Sequence, residues 1–330
     1  MKEIDGGITA VPGIKTAGIA SGIKATGTKD LIVIFCDELA TSAGTFTTNK
    51  VKSAPVLVSM EHIKCGKAQA VVANSGNANA STGEQGIKDA KKMAELTAKE
   101  LGISSEHVLV ASTGKIGRFM PMDKVESGIK LAVSKLSYTG GHEAAQAIMT
   151  TDTFPKECAV EFELQGKKTH IGGMVKGAGM INPTMATMLC FITTDVAIEQ
   201  NLLQTALKAA VDKSFNMVSV DGDMSTNDTV IILANGRACN EKITKQNNGY
   251  NEFLKGLSHV TTSLAKMIAK DGEGATKFIE LQLKGAKSED DARKATHAIA
   301  QSPLLKCALF GEDPNWGRIM SSLGSSRIDM

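Results

Sequence analysis

The 330-residue sequence has little of what marks several large classes of protein. Aromatic residues make up only 4% of the chain, with one tryptophan and two tyrosines, so the chain lacks the stacking surfaces that bind single-stranded nucleic acids. Its formal net charge is +2, from 37 basic and 35 acidic residues, which gives no basic excess for a phosphate backbone. We therefore expect no nucleic-acid partner.

Long apolar runs and cysteine motifs are also missing. No stretch approaches the roughly 20 apolar residues of a membrane-spanning helix, and Met1–Gly13 lacks the apolar core of a signal peptide. The six cysteines are widely spaced, without a CxxC pair or a histidine at metal-ligand spacing. We therefore expect a cytoplasmic protein with reduced thiols, no membrane association, no metal and no cofactor.

Short buried-strand patterns alternate irregularly with amphipathic helical patterns along the chain. Glycine is abundant at 32 residues and hydrophobic residues make up 42%, which is typical of a close-packed enzyme with many tight turns. The predicted strands are Leu31–Cys36, Ala68–Ala73, Val108–Ala111, Met188–Ile192, Thr229–Ala234 and Thr276–Lys284, and the predicted helices are Gln85–Leu101, Met122–Leu136, His142–Thr150, Asn201–Ser214, Tyr250–Asp271 and Ser288–Ser302. This alternation predicts a mixed α/β fold with several layers.

The segment Lys176–Asp195 (KGAGMINPTMATMLCFITTD) carries the main hypothesis about the site. Two glycines and a proline in its first half prevent a helix, and the apolar residues in its second half predict a buried strand. Thr187 stands at the mouth of that strand, after the small residue Ala186. A rigid strand would fix its hydroxyl, so Thr187 is a candidate nucleophile. The alternative is a loop that only leads into a core strand.

Two further places have the same ambiguity. Thr113 and Gly114 follow a predicted strand, where a hydroxyl and a backbone N–H could stabilise an oxyanion, although a plain β-turn has the same sequence. Glu273 lies between two glycines after a long predicted helix. Its carboxylate could point at a ligand, or the segment could simply cap the helix. Asp221 and Asp223 alone are a weak metal signal, and a polar turn explains them better.

Six segments, in this order, resemble those of the ornithine acetyltransferase (glutamate N-acetyltransferase, ArgJ) family. They are NSGNANASTG at Asn74–Gly83, STGKIG at Ser112–Gly117, MTTDTFPK at Met149–Lys156, KGAGMINPTMATML at Lys176–Leu189, SVDGDMSTNDT at Ser219–Thr229 and GEDPNWGRI at Gly311–Ile319. Their common order over nearly the whole chain makes the resemblance specific.

The resemblance implies a multilayer αββα sandwich of the DmpA/ArgJ type with a smaller C-terminal α/β domain. It also implies autocatalytic cleavage between Ala186 and Thr187. Residues 1–186 would then form an α chain, residues 187–284 the part of a β chain that completes the sandwich, and residues 285–330 part of the smaller domain. Two α and two β chains would form a heterotetramer.

The resemblance further implies that Thr187 becomes an N-terminal nucleophile. No histidine lies near it in the sequence, whereas a free α-amine has a pKa of roughly 7.7–8.0 and would serve as its base. The enzyme would move an acetyl group from N²-acetylornithine to L-glutamate in arginine biosynthesis through an acetyl-threonine intermediate. Thr113 and Gly114 would form the oxyanion hole.

The same family pattern assigns the substrate-binding residues. Lys176 would bind the α-carboxylate of both amino-acid substrates, and Glu273 would pair with the ornithine amine. Thr187 itself would also contact the substrate. A threonine of the MTTDTFPK segment would also contact substrate; Thr150 is the choice, with Thr151 and Thr153 as alternatives.

Three questions stay open at the level of sequence. Acetyl-CoA is a possible second acetyl donor. An N-terminal-nucleophile hydrolase of the same fold would use water in place of glutamate. The family's C-terminal tail supplies an asparagine and a hydroxyl residue to the substrate site, and nothing in Met320–Met330 resembles that tail. A fragment, a shortened protein or an inactive remnant would each explain this.

Overall fold

The computed structural model of the protein describes residues 1–182 and 188–328, so the predicted cleavage site at Ala186–Thr187 lies outside the described residues. The strands within these ranges are β1 (Lys2–Glu3), β2 (Ile14–Ile19), β3 (Leu31–Phe46), β4 (Lys67–Asn74), β5 (Val108–Ser112), β6 (Lys156–Leu164), β7 (Lys167–Lys176), β8 (Leu189–Thr194) and β9 (Thr229–Ala234). The α-helices are α1 (Ala54–His62), α2 (Gly83–Leu101), α3 (Met122–Ser134), α4 (Gly141–Ile148), α5 (Gln200–Asp212), α6 (Asn248–Lys270), α7 (Glu289–Ala300), α8 (Pro303–Phe310) and α9 (Trp316–Gly324).

The strands of the described residues form one continuous nine-stranded sheet, and the long strand β3 joins its two parts, which lie in different layers and are called the two sheets below. Its first half pairs with β2 on one side and with β4 on the other, and β4 continues to β5. Its second half pairs with β9, which continues through β8, β7 and β6 to β1. The register with β4 shifts between Phe35 and Ala40, at the junction of the two halves. Such an irregularity bends a strand, and here it lets one strand serve both sheets.

Alternating side chains on the strands fill three separate cores. In β8, Leu189 and Phe191 face the core between the two sheets, whereas Cys190 and Ile192 face a second core beneath α5 and α6. Strands β3, β4 and β5 alternate in the same way between the central core and a third core beneath α1, α2 and α3. The layers therefore run helix, sheet, sheet, helix, which confirms the predicted αββα sandwich.

The hydrophobic pattern located most elements correctly. Every predicted helix is present with both ends within two residues of the prediction, and five of the six predicted strands are present. The predicted strand Thr276–Lys284 is wrong, because this stretch has no regular structure and nearly all its side chains are exposed. A strand needs a neighbour for its backbone N–H and C=O groups, and the described residues provide none here.

The last three helices pack on one another and contact the sandwich at a few polar points. Ser288 caps the first turn of α7, where its side chain accepts a hydrogen bond from the Asp291 amide. Lys306 donates from Nζ to the Val220 carbonyl at 2.6 Å, and Gln301 donates to Asn182 at 2.6 Å. Among the helices described, none combines the length and the apolar character that crossing a membrane requires.

Candidate active site

A cleft of about 980 Å³ opens where β5 and β7 end. Thr113, Gly114, Thr150, Lys176 and Glu273 all line it. These five residues come from four separate sequence segments, and they are all the predicted site residues that the structure describes. The structure therefore brings together every predicted site residue that it describes.

The sheet register explains why the end of β7 lies beside the start of β8. Lys176 pairs with Leu189, and Leu189 pairs in turn with Thr229 of β9. Met188, the first described residue after the gap, donates its amide to Asp228 at 3.1 Å and accepts from the Thr229 amide at 3.1 Å. The chain that leaves Thr187 therefore enters the sheet beside Lys176.

The predicted oxyanion pair follows β5. Thr113 is 5% exposed, and its amide donates to the Asn74 carbonyl at 2.9 Å, which holds the turn against β4. Gly114 has φ of 133°, and a Cβ there would collide with the backbone of Gly76. Only glycine fits this position, because the backbone has a positive φ and the neighbouring backbone leaves no room for a Cβ. The turn is thus fixed in one conformation at the cleft.

Lys176 is a buried cation at the cleft. It is 3% exposed, and its Nζ lies 3.5 Å from the Thr113 hydroxyl oxygen. Burial lowers the pKa of Lys176, while the negative charges of Asp152 and Asp228 oppose that shift. No carboxylate of the described residues approaches its Nζ closely enough for an ion pair. A buried ammonium group of this kind suits an anionic ligand.

Thr150 is held by a carboxylate that also holds the segment after Lys176. Asp152 accepts from the Thr150 amide at 2.9 Å and from the Gly177 amide at 2.7 Å. The hydroxyl of Thr153 donates to Asp271, and Thr153 does not line the cleft. Both Thr150 and Thr151 line the cleft.

Glu273 reaches the cleft because α6 ends before it. The helix cap is Asp271, so Glu273 is not the cap, and its amide instead donates to the Ala178 carbonyl at 2.7 Å. A Cβ on Gly179 would come within 2.5 Å of the Glu273 carboxylate carbon. Gly179 therefore makes room for this carboxylate.

The Asp221 turn is polar, as predicted. The Asp221 carboxylate accepts from the backbone amides of Met180 at 2.5 Å, Ile181 at 2.9 Å and Asp223 at 3.0 Å. Through these bonds the carboxylate holds the glycine-rich segment that follows Lys176. Its role in the structure is to fix the loop.

Sequence reasoning missed three residues near the cleft. Lys24 lies in the weakly patterned first 30 residues, and its Nζ donates to the Met149 carbonyl at 2.7 Å. Burial lowers the pKa of Lys24. Asn227 and Asp228 fall inside the SVDGDMSTNDT segment but were not singled out. Asn227 donates from Nδ2 to the Ala78 and Ser112 carbonyls, each at 2.7 Å, and so joins the two sheets at the cleft.

Comparisons with known proteins agree on one family. The ArgJ family model matches residues 15–330. The arginine biosynthesis bifunctional protein ArgJ of Caldanaerobacter subterraneus subsp. tengcongensis is 52% identical over 329 residues, which cover 100% of this chain and 81% of that protein. The glutamate N-acetyltransferase of Methanocaldococcus jannaschii is 51% identical over 333 residues, which cover 100% of this chain and 80% of that protein.

A solved structure is similar as well. The crystal structure of ornithine acetyltransferase complexed with ornithine from Mycobacterium tuberculosis is 38% identical, with a TM-score of 0.52. The match covers 57% of this chain and 99% of that chain. The fold and the sequence therefore point to the same family.

Proposed function

Because this chain belongs to the ArgJ family, whose members are acyltransferases of arginine biosynthesis, we propose that it moves an acetyl group from N²-acetylornithine to L-glutamate by way of Thr187. The observation that carries the proposal is the convergence of Thr113, Gly114, Thr150, Lys176 and Glu273 on one cleft. The similarity to a glutamate N-acetyltransferase and to an ornithine-bound ornithine acetyltransferase supports the choice of substrates.

The charges of the cleft fit amino-acid substrates. The buried ammonium of Lys176 would bind the α-carboxylate that N²-acetylornithine and glutamate share. The carboxylate of Glu273 would pair with the side-chain ammonium of ornithine. Thr150, which also lines the cleft, would contact the substrate. The opposite charges of Lys176 and Glu273 would orient the substrate.

The reaction would proceed in two acyl-transfer steps. Thr187 Oγ attacks the acetyl carbonyl of N²-acetylornithine, its own α-amine takes the hydroxyl proton, and ornithine leaves with a proton on its amine. Glutamate then attacks the acetyl-threonine ester with its amine and regenerates the hydroxyl. The Thr113 hydroxyl and the Gly114 amide would stabilise the oxyanion in both steps.

The α-amine would come from a cut between Ala186 and Thr187. The cut would leave residues 1–186 and the chain from residue 187 held together, because β8 pairs with β7 and β9 pairs with β3 across it. The match to the M. tuberculosis chain supports this division, since 57% of 330 residues is about 188 residues and includes nearly all of that chain. Residues 187–284 and 285–330 would contribute to the sandwich and to the smaller C-terminal domain.

Assembly, donor and compartment complete the proposal. We infer a heterotetramer of two α and two β chains, with a native mass of twice the 34.7 kDa of one chain. The direct transfer needs no bound cofactor. We include acetyl-CoA as a second donor because the C. subterraneus relative is named bifunctional. All six cysteines are free, which supports a reducing compartment such as the cytoplasm.

The test is denaturing mass spectrometry of the wild type beside Thr187→Ala and the control Thr184→Ala. We expect two fragments from the wild type and the control, the second beginning at Thr187, and one intact chain from Thr187→Ala. A single uncut chain in all three would contradict the cleavage step. Incubation with N²-acetylornithine and glutamate then distinguishes the acetyltransferase from the hydrolase. Formation of N-acetylglutamate would indicate the transferase, and release of acetate without N-acetylglutamate would indicate the hydrolase.

A further inference from the structure

A cluster of three side chains with metal-binding atoms lies outside the cleft. The ligand atoms of Glu3, Cys158 and His259 are all within 4.8 Å of one another, and none of these residues lines the cleft. Among the residues that the structure describes, no other three histidine, cysteine or carboxylate side chains form such a group. Thiolate, imidazole and carboxylate are the ligands that bind zinc in proteins. The cluster therefore has the donor chemistry of a transition-metal site.

The sheet register places two of these side chains on one face. Glu3 of β1 pairs with Val160 of β6, and residues that pair directly project to the same side of a sheet. Cys158 lies two residues before Val160 on the same strand, so it projects to that side as well. Val160 belongs to the core beneath α5 and α6, and Cys158 packs against that core. Glu3 and Cys158 therefore both face the helical layer.

Helix α6 supplies the third side chain. His259 precedes Val260, which is buried in the same core, and its Nε2 lies 2.7 Å from Glu3 Oε1. The side chains of His259 and Glu3 are 36% and 67% exposed, so a cation from solvent can reach them. The three ligands come from distant parts of the chain. The spacing of cysteine and histidine in the sequence therefore could not indicate them.

The distances require only small side-chain movements. Zn²⁺ binds nitrogen and oxygen at about 2.0–2.2 Å and sulfur at about 2.3 Å, so its tetrahedral ligands lie roughly 3.3–3.6 Å apart. The His259–Glu3 pair at 2.7 Å would open to that separation, which the exposed Glu3 side chain permits. The Cys158 sulfur, within 4.8 Å of both atoms, would move closer by little more than about 1 Å.

The thiol favours a soft or borderline cation over Mg²⁺ or Ca²⁺, which prefer oxygen ligands. Burial raises the pKa of the Cys158 thiol to about 11, while the Ser263 hydroxyl opposes the shift. The thiol is therefore protonated at neutral pH in the absence of a cation, and a bound cation displaces its proton. This proton release weakens the affinity at neutral pH and does not remove the ligand.

We propose that Glu3, Cys158 and His259 bind one Zn²⁺ ion, with water as the fourth ligand. The ion bonds to the Cys158 sulfur, whose proton passes to solvent. It also bonds to Nε2 of His259, which keeps its proton on Nδ1, and to the Glu3 carboxylate. The ion ties β1 and β6 to α6. Under the proposed function, the cut puts Glu3 and Cys158 in the α chain and His259 in the β chain. The ion then joins the two chains, and this last consequence alone rests on that function.

The test is a metal titration of the full chain in the Thr187→Ala background, so that the result does not depend on the cut. A phosphine reductant replaces thiol reductants, which bind metals themselves. Co²⁺ reports a thiolate ligand by its charge-transfer absorption, and displacement of Co²⁺ by Zn²⁺ gives the Zn²⁺ affinity. We expect one ion per chain and a higher melting temperature with Zn²⁺, because only the folded chain holds the three ligands together.

Three variants each remove one ligand. Cys158→Ser should abolish the charge-transfer band. Each of Cys158→Ser, His259→Gln and Glu3→Gln should weaken Zn²⁺ binding by about 10-fold or more, since losing a ligand costs no less than losing a group that only orients one.

Two control variants leave the cluster intact. His142 Nδ1 lies 2.7 Å from Glu157 Oε2, which repeats the His259–Glu3 pair without a third ligand among the described residues. His142→Gln should therefore leave Zn²⁺ binding unchanged. Cys239→Ser removes an exposed thiol elsewhere on the chain and should leave the charge-transfer band unchanged.

A charge-transfer band that is lost in Cys158→Ser and kept in both controls supports the inference. The absence of the band from the parent chain, or its survival in Cys158→Ser, overturns it. Unchanged Zn²⁺ affinity in either His259→Gln or Glu3→Gln also overturns it. These two variants decide alone if a thermal melt shows that Cys158→Ser does not fold. A wild type that is never cut but binds Zn²⁺ would contradict the proposed function and leave the metal site supported.

Discussion

Two buried lysines lie at the same end of neighbouring strands, and only one of them forms an ion pair with a described carboxylate. Lys156 begins β6 and pairs in register with Val175, the residue before Lys176 at the end of β7. Their exposures are 0% and 3%. The Nζ of Lys156 lies 2.7 Å from Asp152 and 2.5 Å from Asp271. Among the described residues, the Nζ of Lys176 has a hydrogen-bond partner in the Thr113 hydroxyl, at 3.5 Å.

The difference separates a structural charge from a functional one. A buried ammonium between two carboxylates is compensated, and here those carboxylates also hold the backbone of Thr150, Thr153 and Gly177. A buried ammonium without an ion pair costs stability, so its retention indicates a ligand that completes it. Lys156 therefore positions the walls of the cleft, and under the proposed function Lys176 would bind the substrate.

Removing the compensated charge tests this comparison most severely. Lys156→Met leaves Asp152 and Asp271 buried together without the cation that pairs with both of them. We expect the free energy of unfolding to fall by about 3–5 kcal/mol, the usual cost of breaking a buried ion pair from one side. Denaturant unfolding in the Thr187→Ala background measures it on a chain that is not cut.

The control for Lys156→Met is Lys168→Met. Lys168 lies on β7 and forms a surface ion pair with Glu161 at 2.5 Å, with 65% of its side chain exposed. Surface pairs contribute little, so we expect a change below about 1 kcal/mol. Equal losses of unfolding free energy in the two variants would show that the burial and pairing of Lys156 do not contribute to stability.

The two lysines also show what sequence can and cannot predict. The family motif singled out Lys176 at one point in the chain. Lys156 was not singled out although it lies in the MTTDTFPK segment, because its partner Asp271 is 115 residues away and the pairing exists only in the fold.

The fold divides along similar lines. Helices such as α6 were predicted because a 3.6-residue period is local information. The second half of β3 was not predicted as the link between two sheets, because its partner β9 lies far along the chain. Thr276–Lys284 was predicted as a strand from its alternation alone, and the structure contradicts it because alternation does not supply a partner.

Replacing Lys176 should have little effect on stability and a large effect on activity. Lys176→Met takes an unpaired charge out of the core, so we expect the uncut chain to unfold at the same or a slightly higher denaturant concentration. For the mature enzyme we expect kcat/KM for N²-acetylornithine to fall by about 100-fold, because the substrate carboxylate loses its partner. Steady-state kinetics of the acetyl exchange measures this.

Two results would contradict the comparison for Lys176. Unchanged kcat/KM would mean that the ammonium does not meet the substrate. A loss of stability as large as that of Lys156→Met would mean that Lys176 is compensated as well. Fragment analysis by mass spectrometry accompanies the kinetics, since a variant that remains uncut reports on maturation and not on binding.

The smallest effect we predict is the pH dependence of that stability difference. The folded-state pKa of Lys176 lies below the ordinary value of 10.5, because burial disfavours the charged form. Below the folded-state pKa the lysine is protonated in both states, and folding bears the full cost of burying the charge. As pH rises from the folded-state pKa toward 10.5, the folded lysine loses its proton first and the cost disappears.

The advantage of Lys176→Met over Lys176 should therefore be largest below the folded-state pKa of Lys176 and shrink as the pH rises from there toward 10.5. Denaturant unfolding of both chains in the Thr187→Ala background between pH 7 and pH 10.5 measures the change. Lys168→Met serves as the reference, since an exposed lysine carries no such cost. A difference that stays constant over this range would show that the buried ammonium of Lys176 is already solvated or paired in the folded protein.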